Sequence, residues 1–346
     1  MKKIYYIAAV FATLFLAGCG DGIDLPGVNV ETDLNKIPLP DNNVNLEQVE
    51  LKPSTEPMLH EGLHTEADFQ RIRDKKAAGE EPWVSAYQLL VESQFSQKTA
   101  DTYPTEWIKR GISGDENYMN AARGATIAYQ QALRWKIEQD DEYAAKAVEN
   151  LNKWVQTCVG VTGNTNLSLA AGLYGYEFAI AGELLRDYGG WDRADFAAFQ
   201  NWLLKVFYPA NDDFLKRHHD TNALHYWANW CLCNIAAKMA IGIVTDRRDI
   251  YNEGIDHLQT GDTNGRLRRA IYHDYAPDYN FAQWQESGRD QGHTLMCVGL
   301  MGIICQLAWS QGDDFFAYDD NLFMRACEYA ACCNYTNETV PYTTYI

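Results

Sequence analysis

Residues 116–157 read ENYMNAARGATIAYQQALRWKIEQDDEYAAKAVENLNKWVQT, and this stretch decides the fold class. Apolar side chains recur at spacings of three and four across 116–138 and again across 141–157, which predicts two amphipathic helices. The two patterns are separated by only two residues, so the helices are expected to pack side by side as a hairpin. Repeated helical hairpins build α/α bundles, solenoids and toroids.

The same pattern continues outward in both directions. After a capping box formed by Thr65 and Asp68, it predicts helices at 66–78, 82–96, 167–187, 192–206, 222–244, 247–258, 293–311 and 320–334. Strand-like alternation is nearly absent, and no strict sequence period indicates a simple repeat protein. The chain is therefore predicted to be all-α, with residues 59–346 forming one helical domain.

The N-terminus is typical of a lipoprotein. Lys2 and Lys3 precede an apolar run that ends in Leu16-Ala-Gly-Cys19, and this run is too short to span a membrane as a helix. We interpret residues 1–18 as a signal peptide, Cys19 as the lipidated residue and residues 19–58 as a flexible tether. The expected location is the outer membrane of a Gram-negative bacterium, on its periplasmic or cell-surface face.

The chain is acidic, with 29 Lys and Arg against 47 Asp and Glu and a formal charge of -18. This balance argues against nucleic-acid binding, which needs clustered basic side chains. It also disfavours an anionic ligand unless a local basic pocket exists. Such a concentration is present: Arg266, Arg268, Arg269 and Arg289 fall in one segment that also carries His273 and His293.

No metal or cofactor is predicted. Eight cysteines follow Cys19, but no Cys or His spacing fits a zinc site. His218 and His219 are adjacent, yet no carboxylate or cysteine at helical spacing completes a ligand set. The cysteines are expected to be mostly buried apolar residues, and their pairing stays open.

Three segments carry candidate site chemistry, and each also has a structural interpretation. Gly163-Asn-Thr-Asn-Leu167 is either a helix cap or a source of amide donors from Asn164 and Asn166. His225-Tyr-Trp-Ala-Asn-Trp230 holds either a core histidine or a site histidine. The third segment, 268–293, is either a solvated basic loop or an anion pocket, because arginine suits carboxylate recognition.

The combination of these motifs resembles the alginate lyase superfamily of helical-toroid polysaccharide lyases. The similarity lies in His225-Tyr-Trp-Ala-Asn-Trp, in Asp246-Arg-Arg-Asp249, and in the Arg, Tyr and His residues of 268–275. Two further runs, His64–Trp83 and Trp284–His293, are similar to lipoprotein members that resemble polysaccharide lyase family 38, with a likeness to family 5 as well. The resemblance covers about residues 58–346 and implies an (α/α) toroid.

The resemblance implies β-elimination on a 4-linked polyuronate, either alginate rich in mannuronate or glucuronan. Carried over, Tyr275 is the acid and base, with a pKa lowered by Arg269 or Arg268. His225 is the partner base or a carboxylate ligand, and Asn166, rather than Asn164, neutralises the substrate carboxylate. The expected substrate-binding residues are Arg268, His273, Trp284, Gln285, Arg289, His293, Tyr226 and Asn164.

Three departures from the family pattern leave alternatives open. The asparagine that the family places directly before the histidine is Leu224 here, and the nearest one is Asn222. His293 competes with Tyr275 for the acid/base role. The resembled proteins also continue with further helices beyond a loop like 335–346, so the toroid is expected to be incomplete at its C-terminal end.

Two other functions remain open from the sequence. A glycoside hydrolase on a helical barrel needs two carboxylates, for which Glu286 and Asp290 are the candidates. A noncatalytic glycan-binding lipoprotein fits the lipid anchor and the many Trp and Tyr residues. The Arg, Tyr and His cluster disfavours that function, since capture of a neutral glycan needs no acid/base set.

Overall fold

The computed structural model describes residues 54–336 and 339–345. The predicted signal peptide, Cys19 and the tether up to residue 53 lie outside the described residues. Within them the helices are α1 (Glu66–Ala77), α2 (Trp83–Glu92), α3 (Tyr118–Glu138), α4 (Asp141–Thr157), α5 (Leu167–Leu184), α6 (Arg193–Val206), α7 (Tyr208–Arg217), α8 (Ala228–Val244), α9 (Arg248–Thr260), α10 (Leu267–Ala270), α11 (Gln291–Ser310) and α12 (Tyr318–Tyr335). The strands are β1 (Trp107–Arg110), β2 (Gly160–Gly163), β3 (Ile271–Asp274) and β4 (Ala282–Trp284).

Four inner helices, α3, α5, α8 and α11, pack one against the next, and outer helices α4, α6, α7, α9 and α12 cover them. The inner helices α5 and α8 are apolar on nearly all sides because neighbours surround them. Close packing between them needs Gly172, where a Cβ atom would lie 2.5 Å from Cys233 Sγ. Helix α11 is long and apolar enough to cross a membrane, but more than half of its apolar window is buried in this core.

The two ends of the inner helices differ. At one end, which we term the site end, the N-termini of α5, α8 and α11 meet the strands and the segments between them. Strands β1 and β2 pair in parallel, with Arg110 opposite Gly163, and β3 pairs with β4 in antiparallel fashion. At the other end, residues 54–64 cross the C-termini of the inner helices, where Leu59 bonds Gln311 and His60 bonds Asp246.

The helical predictions are confirmed, and the architecture is the predicted all-α toroid with two small sheets added. The capping box of Thr65 and Asp68 is present at the start of α1. Two differences have local causes. Helix α8 begins at Ala228 and not at 222. Residues 218–220 ahead of it all have positive φ, and Gln285 accepts from the N–H of Ala228, the first residue of the helix. Helix α7 lies between the predicted helices 192–206 and 222–244, with proline in its first turn.

The cysteines behave as apolar residues in the described part of the chain. All eight are free thiols, and six of them are buried. Burial raises the pKa of each of the inner-helix thiols Cys231, Cys233, Cys297 and Cys305, so these groups are neutral packing elements.

Candidate active site

Tyr275 follows β3 at the site end and is 3% exposed. Its hydroxyl donates to Gln283 Oε1 at 2.6 Å and lies 3.1 Å from the hydroxyl of Thr343. Burial raises the pKa of Tyr275 to about 12. The expectation that a neighbouring arginine lowers this pKa is therefore wrong for the structure as it stands, because desolvation of the phenolate outweighs any favourable charge.

Gln283 is the centre of this arrangement. Its Oε1 also accepts from the Thr343 N–H at 2.9 Å, while its Nε2 donates to Thr343 O at 2.9 Å and to the Tyr272 hydroxyl at 3.2 Å. The Tyr272 hydroxyl also donates to Thr343 O. One fully buried amide thus holds two tyrosines and the segment 340–345 in a single hydrogen-bonded unit.

The two adjacent arginines of α10 have different surroundings. Arg268 forms ion pairs with Asp319 and, at 3.4 Å, with Asp274. It therefore links α10 to β3 and α12, and its role in substrate binding stays a prediction. Arg269 has no ion pair among the described residues, and its buried Nε has no hydrogen-bond partner there. Arg269 is the member of the pair that remains available to an anion.

Two predicted substrate-binding residues are structural instead. Trp284 is 0% exposed and its indole N–H donates to Ala326 O at 3.0 Å. Gln285 is buried, and its Oε1 accepts from the Ala228 N–H at 2.8 Å. The first fastens β4 to α12 and the second caps α8, so neither presents a surface to a sugar.

Two further predicted binding residues are also buried. His273 packs its ring 4.4 Å from that of Tyr275, and burial lowers the pKa of His273, which favours the neutral ring. Tyr226 lies in an aromatic cluster with Phe214, His219 and Trp230. Both side chains are buried at the site end, as is that of Tyr275, and their role in substrate binding stays a prediction.

A charged cluster precedes α11. Arg289 donates to Glu286 Oε2 at 3.0 Å and lies 5.3 Å above the Trp227 ring. His293 bonds Asp290 through Nδ1 at 2.7 Å, and its Nε2 lies 3.3 Å from Arg289. Although burial acts in the opposite direction, the bonds from His293 and the charge of Arg289 lower the pKa of Asp290. The carboxylate of Asp290 is therefore able to orient the imidazole.

The hydrolase alternative does not fit this cluster. Glu286 is 0% exposed and paired with Arg289, with its other oxygen buried and without a partner among the described residues. Burial raises the pKa of Glu286. A carboxyl that no solvent reaches cannot flank a glycosidic bond, so the required pair of accessible carboxylates is not formed by Glu286 and Asp290.

His225 and the two asparagines complete the site end. His225 is exposed, and its ring contacts that of Tyr226 at 4.9 Å. Asn166 is partly exposed, and its N–H donates to Asn164 Oδ1 at 2.9 Å. The start of α5 is linked to the His225 segment by a 3.0 Å bond between Ser168 Oγ and His219 Nε2.

Several residues of this unit were not predicted from the sequence. Tyr345 places its ring 5.2 Å from Tyr272 and 5.8 Å from Trp227, and its hydroxyl donates to Asn264. Gln283 and Thr343, which bond Tyr275, were not predicted as site residues either. No sequence pattern indicated that segment 340–345 returns to β3.

The described residues show no group of three or more His, Cys, Asp or Glu side chains arranged to hold a metal ion. A cavity of about 230 Å³ lies between α3, α4 and residues 98–102, and no predicted site residue lines it. The concentration of Arg, His and Tyr at the site end is thus the chemically distinctive feature of the described chain.

Comparison with solved structures gives the fold. Alginate lyase A1-III from Sphingomonas species A1 superposes with a TM-score of 0.55 at 14% identity, covering 80% of each chain. Two variants of that enzyme, a tyrosine-to-phenylalanine and a histidine-to-alanine substitution, each complexed with tetrasaccharide, give TM-scores of 0.56 and 0.55 at 14% identity, covering 80% and 82% of each chain.

No curated protein matches the chain. The family comparison is decisive for its class: residues 72–338, well over half of the sequence, match the family described as Alginate lyase. The match spans every segment of the site end from β1 to α12. The chain therefore belongs to the alginate lyase family, and it is a polysaccharide lyase of the polyuronate β-eliminating type.

Proposed function

We propose that the protein cleaves the mannuronate-rich regions of alginate, or the related polymer glucuronan, at 4-linked uronates. The observation that carries the proposal is the family match, since it covers the segments that bring Arg269, Arg289, His225 and Tyr275 to one end of the toroid. Positive side chains there offset the repulsion that an acidic chain exerts on a polyanion.

The chemistry requires three functions. The carboxylate next to C5 must be neutralised so that the C5 proton becomes acidic, a base must remove that proton, and an acid must protonate O4 as the C4–O4 bond breaks. We assign the neutralising role to Arg269 and Asn166. Arg269 suits it because its buried Nε lacks a partner among the described residues.

We assign Tyr275 and His225 to proton transfer. The solved relatives bound to tetrasaccharide carry substitutions of a tyrosine and a histidine, which supports giving these residue types the central roles. Tyr275 is held neutral in the structure, which suits an acid. To act as a base, Tyr275 must lose its hydrogen bond to Gln283 or have a cation beside its hydroxyl. Arg269 is a candidate for that cation, because it is close in sequence and has no ion pair among the described residues.

The function is tested by incubating the protein with polymannuronate, polyguluronate and glucuronan while following the ultraviolet absorbance of the unsaturated product. We expect turnover of polymannuronate or glucuronan to exceed that of polyguluronate. Absence of product with all three polymers, together with retained binding, would support the noncatalytic glycan-binding alternative.

The acid/base assignment is tested by Tyr275→Phe, which removes only the hydroxyl. We expect kcat to fall about a hundredfold or more, with the helical circular-dichroism spectrum unchanged. His293→Gln is the matched variant, because His293 is the alternative acid/base. If Tyr275→Phe keeps full activity and His293→Gln loses it, the roles are exchanged.

We further propose that Cys19 is lipidated and anchors the protein in the outer membrane of a Gram-negative bacterium. The support is the sequence Leu16-Ala-Gly-Cys19 behind a short apolar run. Cys19→Ser is expected to abolish labelling by a fatty-acid analogue and to release the protein from membranes. Retention of both in the variant would contradict the anchor.

A further inference from the structure

Four arginines are buried in the described residues, and one of them is unlike the other three. Arg134 pairs with Glu138, Arg186 with Glu183, and Arg325 with Asp274. Arg110 is only 6% exposed, yet no carboxylate pairs with it in the described part of the chain. Its buried Nη1 also lacks any hydrogen-bond partner there.

A guanidinium in this state is unfavourable. Taking a charge out of water is compensated only by an opposite charge and good hydrogen bonds. Arg110 has instead the face of the Tyr118 ring, 4.6 Å away, and the neutral thiol of Cys233 nearby. An aromatic face supplies part of the missing interaction, but it cannot satisfy the N–H groups.

The backbone at Arg110 lies unusually close to that of β2. Arg110 ends β1 opposite Gly163, whose φ is +141°, and a Cβ at Gly163 would lie 1.7 Å from Arg110 O. The next residue of each strand is also in contact, because a Cβ at Gly111 would lie 1.9 Å from Asn164 Oδ1. Two glycines thus let the backbone of β1 approach that of β2 and the Asn164 side chain closely.

The Oδ1 atom of Asn164 accepts from the Asn166 N–H at 2.9 Å, and the residue is exposed. Arg110 ends in a charged fork of N–H donors. This donor set suits a carboxylate.

We propose that Arg110 forms a carboxylate subsite that binds a uronate unit next to the one being cleaved. This inference rests on the proposed function for the identity of the ligand. The subsite lies on β1, whereas Tyr275 and His225, the groups assigned to proton transfer, lie after β3 and in the 222–227 segment. It therefore acts on binding rather than on proton transfer.

If Arg110 serves a ligand, its removal should change the melting temperature differently from the removal of a structural arginine. Arg110→Met removes an uncompensated buried charge, so its melting temperature should equal or exceed that of the wild type. Arg134→Met is the matched variant: it leaves Glu138 partly buried and unpaired, and its melting temperature should fall. A fall of similar size in Arg110→Met would overturn the proposal.

Kinetics and binding test the ligand. Arg110→Met should raise KM for polymannuronate about ten- to a hundredfold, as expected for a lost charged hydrogen bond, with kcat changed less than about threefold. Arg110→Lys should recover part of the loss. Arg247→Met, at the opposite end of α8, is the surface control. A lower kcat at unchanged KM would overturn the assignment to a neighbouring unit.

Calorimetry in the Tyr275→Phe background separates this inference from the proposed function. Binding of mannuronate trisaccharide should weaken at least tenfold on Arg110→Met, and mannotriose, which lacks carboxylates, should show no dependence on Arg110. Unchanged trisaccharide affinity in an active lyase would overturn the subsite alone. An inactive wild type that still binds the trisaccharide through Arg110 would overturn the proposed function and keep the subsite.

Discussion

At the scale of single residues, one side-chain amide organises the site end. The Gln283 side chain donates to Thr343 O and accepts from the Thr343 N–H, as a neighbouring strand would. It also forms hydrogen bonds with the hydroxyls of Tyr272 and Tyr275. A buried amide with this many partners fixes the rotamers around it. The position of the Tyr275 hydroxyl therefore depends on a residue that need not contact substrate.

We predict that Gln283→Leu, which keeps the approximate shape, lowers the free energy of unfolding by about 2–4 kcal/mol. The reason is that buried groups on Tyr275 and Thr343 lose their partners. The same variant should reduce kcat more than it changes KM. Denaturant unfolding and steady-state kinetics provide the measurements. Gln306→Leu is the control, since the one side-chain hydrogen bond that Gln306 forms within the described residues is 3.5 Å long. Equal stability of the two variants would contradict the central role of Gln283.

At the scale of elements, the helices were predictable and the segments between them were not. A period of three to four residues over 17 to 21 positions identifies α3 and α4 almost to the residue. Strands of three or four residues are too short to show alternation. The return of residues 340–345 to β3 is a long-range contact, so no local pattern records it.

The candidate site, too, was only partly predictable from the sequence. Residue types and their clustering predicted that the region 225–293 carries the chemistry. The sequence could not tell which side chains turn inward: Trp284 and Gln285 bond backbone groups in the core, whereas His225, close by in the fold, is exposed. Arg110 was overlooked because its distinctive property, burial without a counter-charge, exists only in three dimensions.

The pair β1–β2 gives a prediction at this scale. Gly163→Ala must place a Cβ against Arg110 O at a φ that alanine rarely adopts. We expect a loss of about 1–3 kcal/mol in the free energy of unfolding and weaker polyuronate binding, because the backbone at Arg110 must shift. Gly189→Ala is the control, since open space surrounds that glycine. A Gly163→Ala variant as stable as the control would show that the strands adjust freely.

At the scale of the whole molecule, the inner helices enclose an ionisable group that the proposed mechanism does not use. Glu177 of α5 accepts a 2.9 Å hydrogen bond from Thr126 of α3. Burial raises the pKa of Glu177 from 4.5 to about 8. The folded protein therefore holds a proton that the unfolded chain releases above its lower pKa, and the free energy of unfolding falls as pH rises between these values.

We predict that Glu177→Gln, which cannot release this proton, melts several degrees above the wild type at pH 9. The difference should shrink toward zero near pH 4.5. Thermal unfolding followed across this range is the measurement. Glu149→Gln is the control, because bonds from Lys146 and Lys153 lower the pKa of Glu149 to about 2, so no gain is expected at pH 9. A pH-independent offset for Glu177→Gln would contradict the raised pKa.

The segment 54–64 has a consequence for how the molecule is presented to its surroundings. Because Arg248 holds Glu56 and Pro57, and Gln311 holds Leu59, the chain enters the toroid at the end opposite to His225 and Tyr275. The segment 54–64 therefore lies away from the site end, and a long polymer can approach that end without meeting it.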